Sequence, residues 1–276
     1  TASAIGASAQ AATAGSGNTA TGGLNFTATA QLYRGMPMLL AVNPAAGAIM
    51  PIADYTAGKV FTFPKTFSPV LDTSTTLQIP INVLYGPASG SIPSITFWLY
   101  RDGKLLKLTG GRGSWRLAGE SGDIFKLSFT FLCMFGSETD AALVAGTYQP
   151  TRPPAWKGST GGTMFMNKLA IPLQSFSLES GINPVQPDDP NATEGFTVAE
   201  IVARNMTGQI NPLERLVAVD DVMADFRAGN QRMLAMQVGT AAGNRLGVVV
   251  PAALYTGNSP EDRQGLSAMN IPFAAT

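Results

Sequence analysis

From Phe125 onward the chain alternates. Phe125, Leu127, Phe129, Phe131, Cys133 and Phe135 fall on one side, and Lys126, Ser128 and Thr130 on the other. A period of two is the signature of a β-strand with one apolar face and one polar face. The pattern predicts that the aromatic row packs on a core. The polar row then meets bulk water, a ligand, or the interior of an object built from many copies.

Upstream, "SITFWLY" and "KLLKLT" flank Arg101-Asp102-Gly103. Asp-Gly between two apolar runs is a strong short-range hairpin signal, because both central positions of a type I′ turn need positive φ. Ile95, Phe97 and Leu99 share one face of this hairpin, and Thr96, Trp98 and Tyr100 the other. Gly110, Gly111 and Gly113 predict a sharp bend before "SWRLAG". "QRMLAMQV" and "RLGVVVPAALY" read as a second hairpin, "GLSAMNIPFA" as a final strand, and "FTVAEIVARNMTGQI" as strand in preference to helix.

One helix is expected, in "AVDDVMADFRAGN", with Asp220 as N-cap and Gly229 as the C-terminal stop. Val219, Val222, Met223 and Phe226 recur at helical spacing, and Arg227 sits in the last turn, where the helix dipole favours a cation.

These signals divide the 276 residues into four segments. Residues 1–23, rich in Ala, Ser, Thr and Gly, read as a flexible linker. Residues 24–84 show short strands and turns, including a stop at Asn43-Pro44, and read as a small all-β module. Residues 85–165 and 166–276 carry the two hairpin regions. Their shared order (strand, turn, strand, glycine bend, polar loop, closing strand) over 94–135 and 231–274 suggests a duplicated unit. Residues 150–162 form a Pro/Gly connector. The fold class expected is mainly β: packed antiparallel sheets, a sandwich or barrel, with one short flanking helix.

Composition narrows the function. Charged residues make up only 13% and hydrophobic ones 45%, so much of the surface is expected to be covered by something else. Net charge is zero, which implies no strong grip on nucleic acid. With one Cys there is no internal disulfide framework, and with no His every His-based triad and the usual zinc ligand are missing. No catalytic residue, metal site or cofactor is expected. No apolar run reaches membrane-spanning length, so no membrane insertion is expected either.

Three stretches carry a resemblance: "SITFWLYRDGKLLKLTGGRGSWRLAGESGDIFKLSFTFLCMFG", "LQSFSLESGINPV" and "FRAGNQRMLAMQVGTAAGNRLGVVVPAALYTGNSPEDRQGLSAMNIPFAA". In order and spacing they resemble the phage major tail tube protein family in its long, duplicated, siphophage-type form. Residues 24–84 depart from that family and look like a small β insertion of a virion protein. The resemblance implies two packed antiparallel sheets with a flanking helix, in subunits that join into rings. The rings are trimers with pseudo-six-fold geometry or, if only the second unit is a tube domain, hexamers. They stack into the channel that conducts DNA during ejection, in a virion tail made in the bacterial host cytoplasm. Tape measure and tail terminator or tip proteins are the implied partners, and DNA passes without sequence-specific binding. Lys126, Ser128, Thr130, Asp188, Asp189 and Glu194 become candidates to line the channel. Two candidate ring-stacking loops, 105–119 and 183–195, supply Lys107, Arg112, Arg116, Pro187 and Pro190. The family's opening strands and helix have no counterpart here, so either chain upstream of Thr1 or a neighbouring subunit is expected to cover the apolar face of the first unit.

Each feature also has a plainer reading. The polar row of 126–130 is equally an ordinary solvated sheet face. Cys133 is a small buried apolar residue rather than a nucleophile. Asp188, Asp189 and Glu194, bracketed by Pro187 and Pro190, lack EF-hand spacing and read as an acidic loop. Trp98, Trp115 and Trp156 suit packing better than a sugar platform. The rival function is nevertheless a secreted or surface β-sandwich that binds carbohydrate through them. An enzyme is a distant third, because no nucleophile–base constellation is present.

Overall fold

A computed structural model describes residues 2–41, 48–64, 66–67, 69–85, 90, 92–148, 151–166, 169–239, 241 and 243–275. The turn expected at Asn43-Pro44 lies outside them. The chain is mainly β, in antiparallel sheets, with a single short α-helix among the described residues.

The N-terminal part holds eight strands: β1 (Ala2–Ala11), β2 (Ala14–Gly15), β3 (Thr19–Thr21), β4 (Pro37–Ala41), β5 (Ala48–Pro51), β6 (Asp54–Tyr55), β7 (Val60–Thr62) and β8 (Thr76–Tyr85). They form two four-stranded sheets, ordered β1-β8-β4-β5 and β2-β3-β7-β6. Between them lies a core of aromatic and aliphatic side chains. Phe26, Tyr33, Tyr55 and Phe61 meet ring to ring, with Phe26–Phe61 centroids 4.9 Å apart and edge-on. The tilt suits the quadrupoles of the rings.

Residues 1–23 therefore do not form the linker that their composition suggested. β1 pairs with β8 from Ala2↔Tyr85 to Ala11↔Thr76, and β3 pairs with β7. The small residues are strand residues whose backbone is spent in ladders. Phe165, from the C-terminal part, is buried in this same core, so the module is packed onto the remainder of the chain.

The C-terminal part holds β9 (Ile95–Arg101), β10 (Lys104–Glu120), β11 (Lys126–Asp140), β12 (Thr163–Met166), β13 (Leu169–Ala170), β14 (Leu173–Glu179), β15 (Ile182–Val185), β16 (Glu200–Arg204), β17 (Thr207–Pro212), α1 (Val222–Ala228), β18 (Gln231–Val238), β19 (Leu246–Tyr255), β20 (Ser259–Arg263) and β21 (Leu266–Ala275). One sheet dominates, ordered β11-β10-β14-β17-β21-β19-β18-β12-β13, with β9 also on β10 and β20 also on β21. A second core, including Leu117, Trp156, Phe176, Ile210, Leu234 and Phe273, lies under its middle. β15 and β16 make a separate hairpin.

The Asp102-Gly103 hairpin forms as its residues demand, with φ of 43° and 80° at the two turn positions and Arg101 paired to Lys104. The glycines do not end the strand. β10 continues through them as one 17-residue element, and one extra residue is absorbed as a bulge between Thr109 and Arg112, with Gly110 at φ 65°. The connector is also tied down. Trp156 is buried, its N–H donates to the Asp123 carbonyl (2.8 Å), and its carbonyl accepts from Gly122 (2.9 Å).

The helix starts one residue later than expected. Asp221 is the N-cap, its carboxylate accepting from the Ala224 N–H at 2.8 Å, and Gly229 ends the helix at φ 67°. Of the face expected to be buried, only Val222 is. Val219, Met223 and Phe226 remain exposed.

Candidate assembly surface

At the end of the large sheet β10 carries β11 on one side, and β9 and β14 on the other. Among the described residues β11 pairs with nothing beyond β10, which leaves its outer edge open for much of its 15 residues. An open edge of this length is an invitation to pair with another chain.

The two faces of β11 are those the alternation defines. Leu127 stands opposite Leu117, Phe129 opposite Trp115, Phe131 opposite Gly113 and Phe135 opposite Leu108. A Cβ on Gly113 would lie 2.8 Å from the Phe131 ring and 2.0 Å from the Thr130 carbonyl, so only glycine fits beneath that ring. Phe131 contacts Phe97 at 4.9 Å and stacks with Phe129 at 5.9 Å.

The expected burial of this row fails beyond its first residue. Phe125 packs on Trp156 (5.0 Å) and Phe176 (6.3 Å) at the margin of the core. Leu127, Phe129 and Phe135 are each more than half exposed, and Phe131 and Cys133 are half-buried. The core beneath the aromatic row includes Leu117 of β10, with Trp115 at its margin, and no residue of β10 N-terminal to Trp115 joins it. Burial raises the pKa of the Cys133 thiol, which opposes thiolate formation.

On the opposite face, Lys126, Ser128 and Thr130 are all exposed, standing across from Ala118, Arg116 and Ser114. These three channel candidates thus share one open polar surface. The other three do not join them on β11. Asp188, Asp189 and Glu194 belong to the tip of the β15–β16 hairpin, which a bridge between Asp188 and Phe196 extends. Asp189 serves its own turn, accepting from the Asn191 N–H at 2.9 Å, while its N–H donates to the Gly195 carbonyl. Pro187 and Pro190 lie on the same tip, and the Pro187 carbonyl accepts from the Thr197 N–H.

The stacking loop expected over 105–119 is not a loop: those residues are the body of β10. Each of its three cations already has a contact. Lys107 sits over the Trp98 ring at 4.9 Å. Arg116 pairs with Glu179 at 3.2 Å, an exposed contact of little energetic weight. Arg112 is a tether: half-buried, it donates to the carbonyls of Ala199 (2.7 Å) and Ile92 (3.2 Å) and pairs with Glu200. It thereby fastens the β15–β16 hairpin to β10.

Two exposed surfaces have no place in the sequence reading. One is the arm 141–148 that leaves β11, with Leu143, Val144 and Tyr148 in solvent. The charge-free run between Asp140 and Arg152 was its available signal. The other is the approach to α1, where Leu216, Val217 and Val219 are exposed in succession. Of the three tryptophans, Trp156 is buried, Trp115 packs on the core margin and Trp98 alone is exposed, so they form no common platform. No helix among the described residues is long and apolar enough to cross a membrane.

The chain matches no protein-family model and no curated protein.

Proposed function

We propose that the chain is a structural virion protein, the major subunit of a phage tail tube. The observation that carries this reading is the outer part of the large sheet: a long free edge at β11, an apolar row uncovered on one side, and a polar stretch at Lys126, Ser128 and Thr130 on the other. An isolated monomer gains nothing from such a surface. Closing copies into a ring removes the edge and covers the apolar row, and each large side chain so buried contributes about 1.5–3 kcal/mol. The polar face with Lys126, Ser128 and Thr130 is then the channel wall. With zero net charge on the chain, DNA slides past it without sequence-specific binding.

Two three-stranded groups, the meander β9-β10-β11 and the set β18-β19-β21, in which β20 intervenes before the last strand and pairs with it, support counting two tube-like units per chain. The ring is then a trimer with pseudo-six-fold geometry, or a hexamer if the second unit alone counts. Stacked rings would meet tape measure and terminator or tip proteins in the virion tail. Negative-stain microscopy of the purified chain tests the reading. Rings or tubes are the expected result, and compact monomers alone at high concentration would overturn it.

A further inference from the structure

The arm 141–148 is anchored at its root, where the Ala141 N–H donates to the Gly103 carbonyl at 2.8 Å, beside the tip of the β9–β10 hairpin. Beyond that root, none of residues 142–148 hydrogen-bonds any described residue. The segment carries no charge, and none of its residues has positive φ. Leu143 is 68% exposed, Val144 65% and Tyr148 90%. An uncharged segment with unused backbone donors and acceptors, bearing large apolar side chains in water, is able to add as a strand to an open sheet edge.

β9 has the complementary deficiency. It pairs only with β10 among the described residues, so its outer edge is free. It exposes large side chains on both faces, Ile95 and Leu99 on one, Trp98 and Tyr100 on the other. It has seven residues, as does the unpaired segment 142–148. Neighbouring residues of a strand point to opposite faces. Leu143 and Val144, added beside β9, would therefore each find an apolar face. Beside Lys126–Thr130 of β11 one of them would be stranded on the polar face of Ser128 and Thr130, a face that turns apolar only further on, at Leu132 and Met134.

We infer that residues 142–148 of one copy add as a strand to the free edge of β9 in a second copy. The inference rests on the self-assembly part of the proposed function and names a contact that sheet closure at β11 does not supply. Donor and acceptor are different surfaces of the same chain, so the contact is heterologous. It propagates around a ring or along a stack rather than ending at a dimer.

The test uses full-length chains in a Cys133→Ser background. One preparation carries Val144→Cys. Others carry Thr96→Cys, Phe97→Cys, Trp98→Cys or Leu99→Cys on β9, or Ser128→Cys or Thr130→Cys on β11. Pairs are mixed under mild oxidation, and covalent heterodimers are read by intact mass. The same samples are imaged by negative stain.

The expected result is cross-linking to β9 positions that alternate by two, with none to β11. It should be lost when the Val144→Cys chain also carries Ala145→Pro, while the circular dichroism spectrum stays unchanged. Rings or tubes without any β9 cross-link overturn the inference and leave the tube reading standing. Cross-links confined to β11 overturn it as well. A β9 cross-link in particles that are neither rings nor tubes keeps the inference and removes the tube. Absence of any association removes both.

Discussion

Arg232 at the start of β18 closes on the carboxylate of Asp225, a nearly fully buried residue of α1, and Asn230 donates to the same carboxylate at 3.0 Å. With Val222, this pair fixes a helix whose other apolar residues face water. Burial works against ionisation of Asp225, yet the hydrogen bonds from Arg232 and Asn230 hold its pKa below the usual carboxylate value. Removing Arg232 leaves that charge buried without a counter-ion, on the Asn230 hydrogen bond. Arg232→Ala should therefore cost about 3 kcal/mol, measured by urea unfolding. The isosteric Asp225→Asn, which keeps a polar partner without the charge, should cost less.

Asp220 behaves in the opposite sense. Burial, then repulsion from Asp225, raises its pKa, against the attraction of Arg215 and Arg232. A raised carboxylate pKa means that the folded state holds the proton more tightly than the unfolded one. The ionised form is therefore a liability that is fully present above the folded pKa and vanishes below the unfolded value. Asp220→Asn should raise stability at neutral pH, and the gain should shrink as the pH falls through that window. The Asp225 contribution runs the other way: present above the ordinary carboxylate range, lost as the pH falls through its lowered pKa. Unfolding curves of both variants between neutral and acid pH separate the two signs.

Phe129 and Phe176 test the division between assembly and folding. Phe176 is in the core, and Phe176→Ala should cost about 3–5 kcal/mol in monomer stability. Phe129 is more than half exposed, so Phe129→Ser should cost under about 1 kcal/mol by the same measurement. It should nevertheless stop rings from forming under the microscope. Equal destabilisation by both would place Phe129 in a monomer core instead.

The tip of the β15–β16 hairpin gives a fourth outcome. Its hydrogen bonds are local, such as Asp189 N–H to the Gly195 carbonyl, and Arg112 holds the hairpin at Ala199 and Glu200, where the ladder gives way to the tip. Deleting residues 187–190 should leave the chain soluble, with an unchanged thermal unfolding midpoint, and stop tube growth. Normal tubes from this deletion would remove the tip from ring stacking.

Much of the large sheet was legible because backbone chemistry wrote it locally. Asp102-Gly103 takes the left-handed conformation that its residue types permit, and the alternation from Phe125 sets the phase of β11 correctly. What alternation cannot convey is whether a second layer exists above a face. Leu127 and Phe129 have the signature of core residues and stand in water, because neither joins the core cluster beneath the sheet. The glycines at 110 and 111 were ambiguous for a similar reason: a bulge and a bend need the same conformational freedom. Asp220 and Asp221 are adjacent acids, and which one caps α1 depends on the turn preceding it. Residues 1–23 misled because small side chains suit a loose tether and a close-packed ladder equally well.

The pairing of β1 with β8 sets a delay during synthesis. Ala2–Ala11 leaves the ribosome first among the described residues, and its partner Thr76–Tyr85 follows last in that module. At about 5–20 residues per second, the first strand waits on the order of several seconds for the backbone it will pair with. A strand of bulky aliphatics held open that long would recruit the nascent chains beside it. β1 reads ASAIGASAQA, with Ile5 its one large apolar residue, so it has little with which to seed a wrong pairing. The plain composition that disguises this strand also keeps it harmless while it waits.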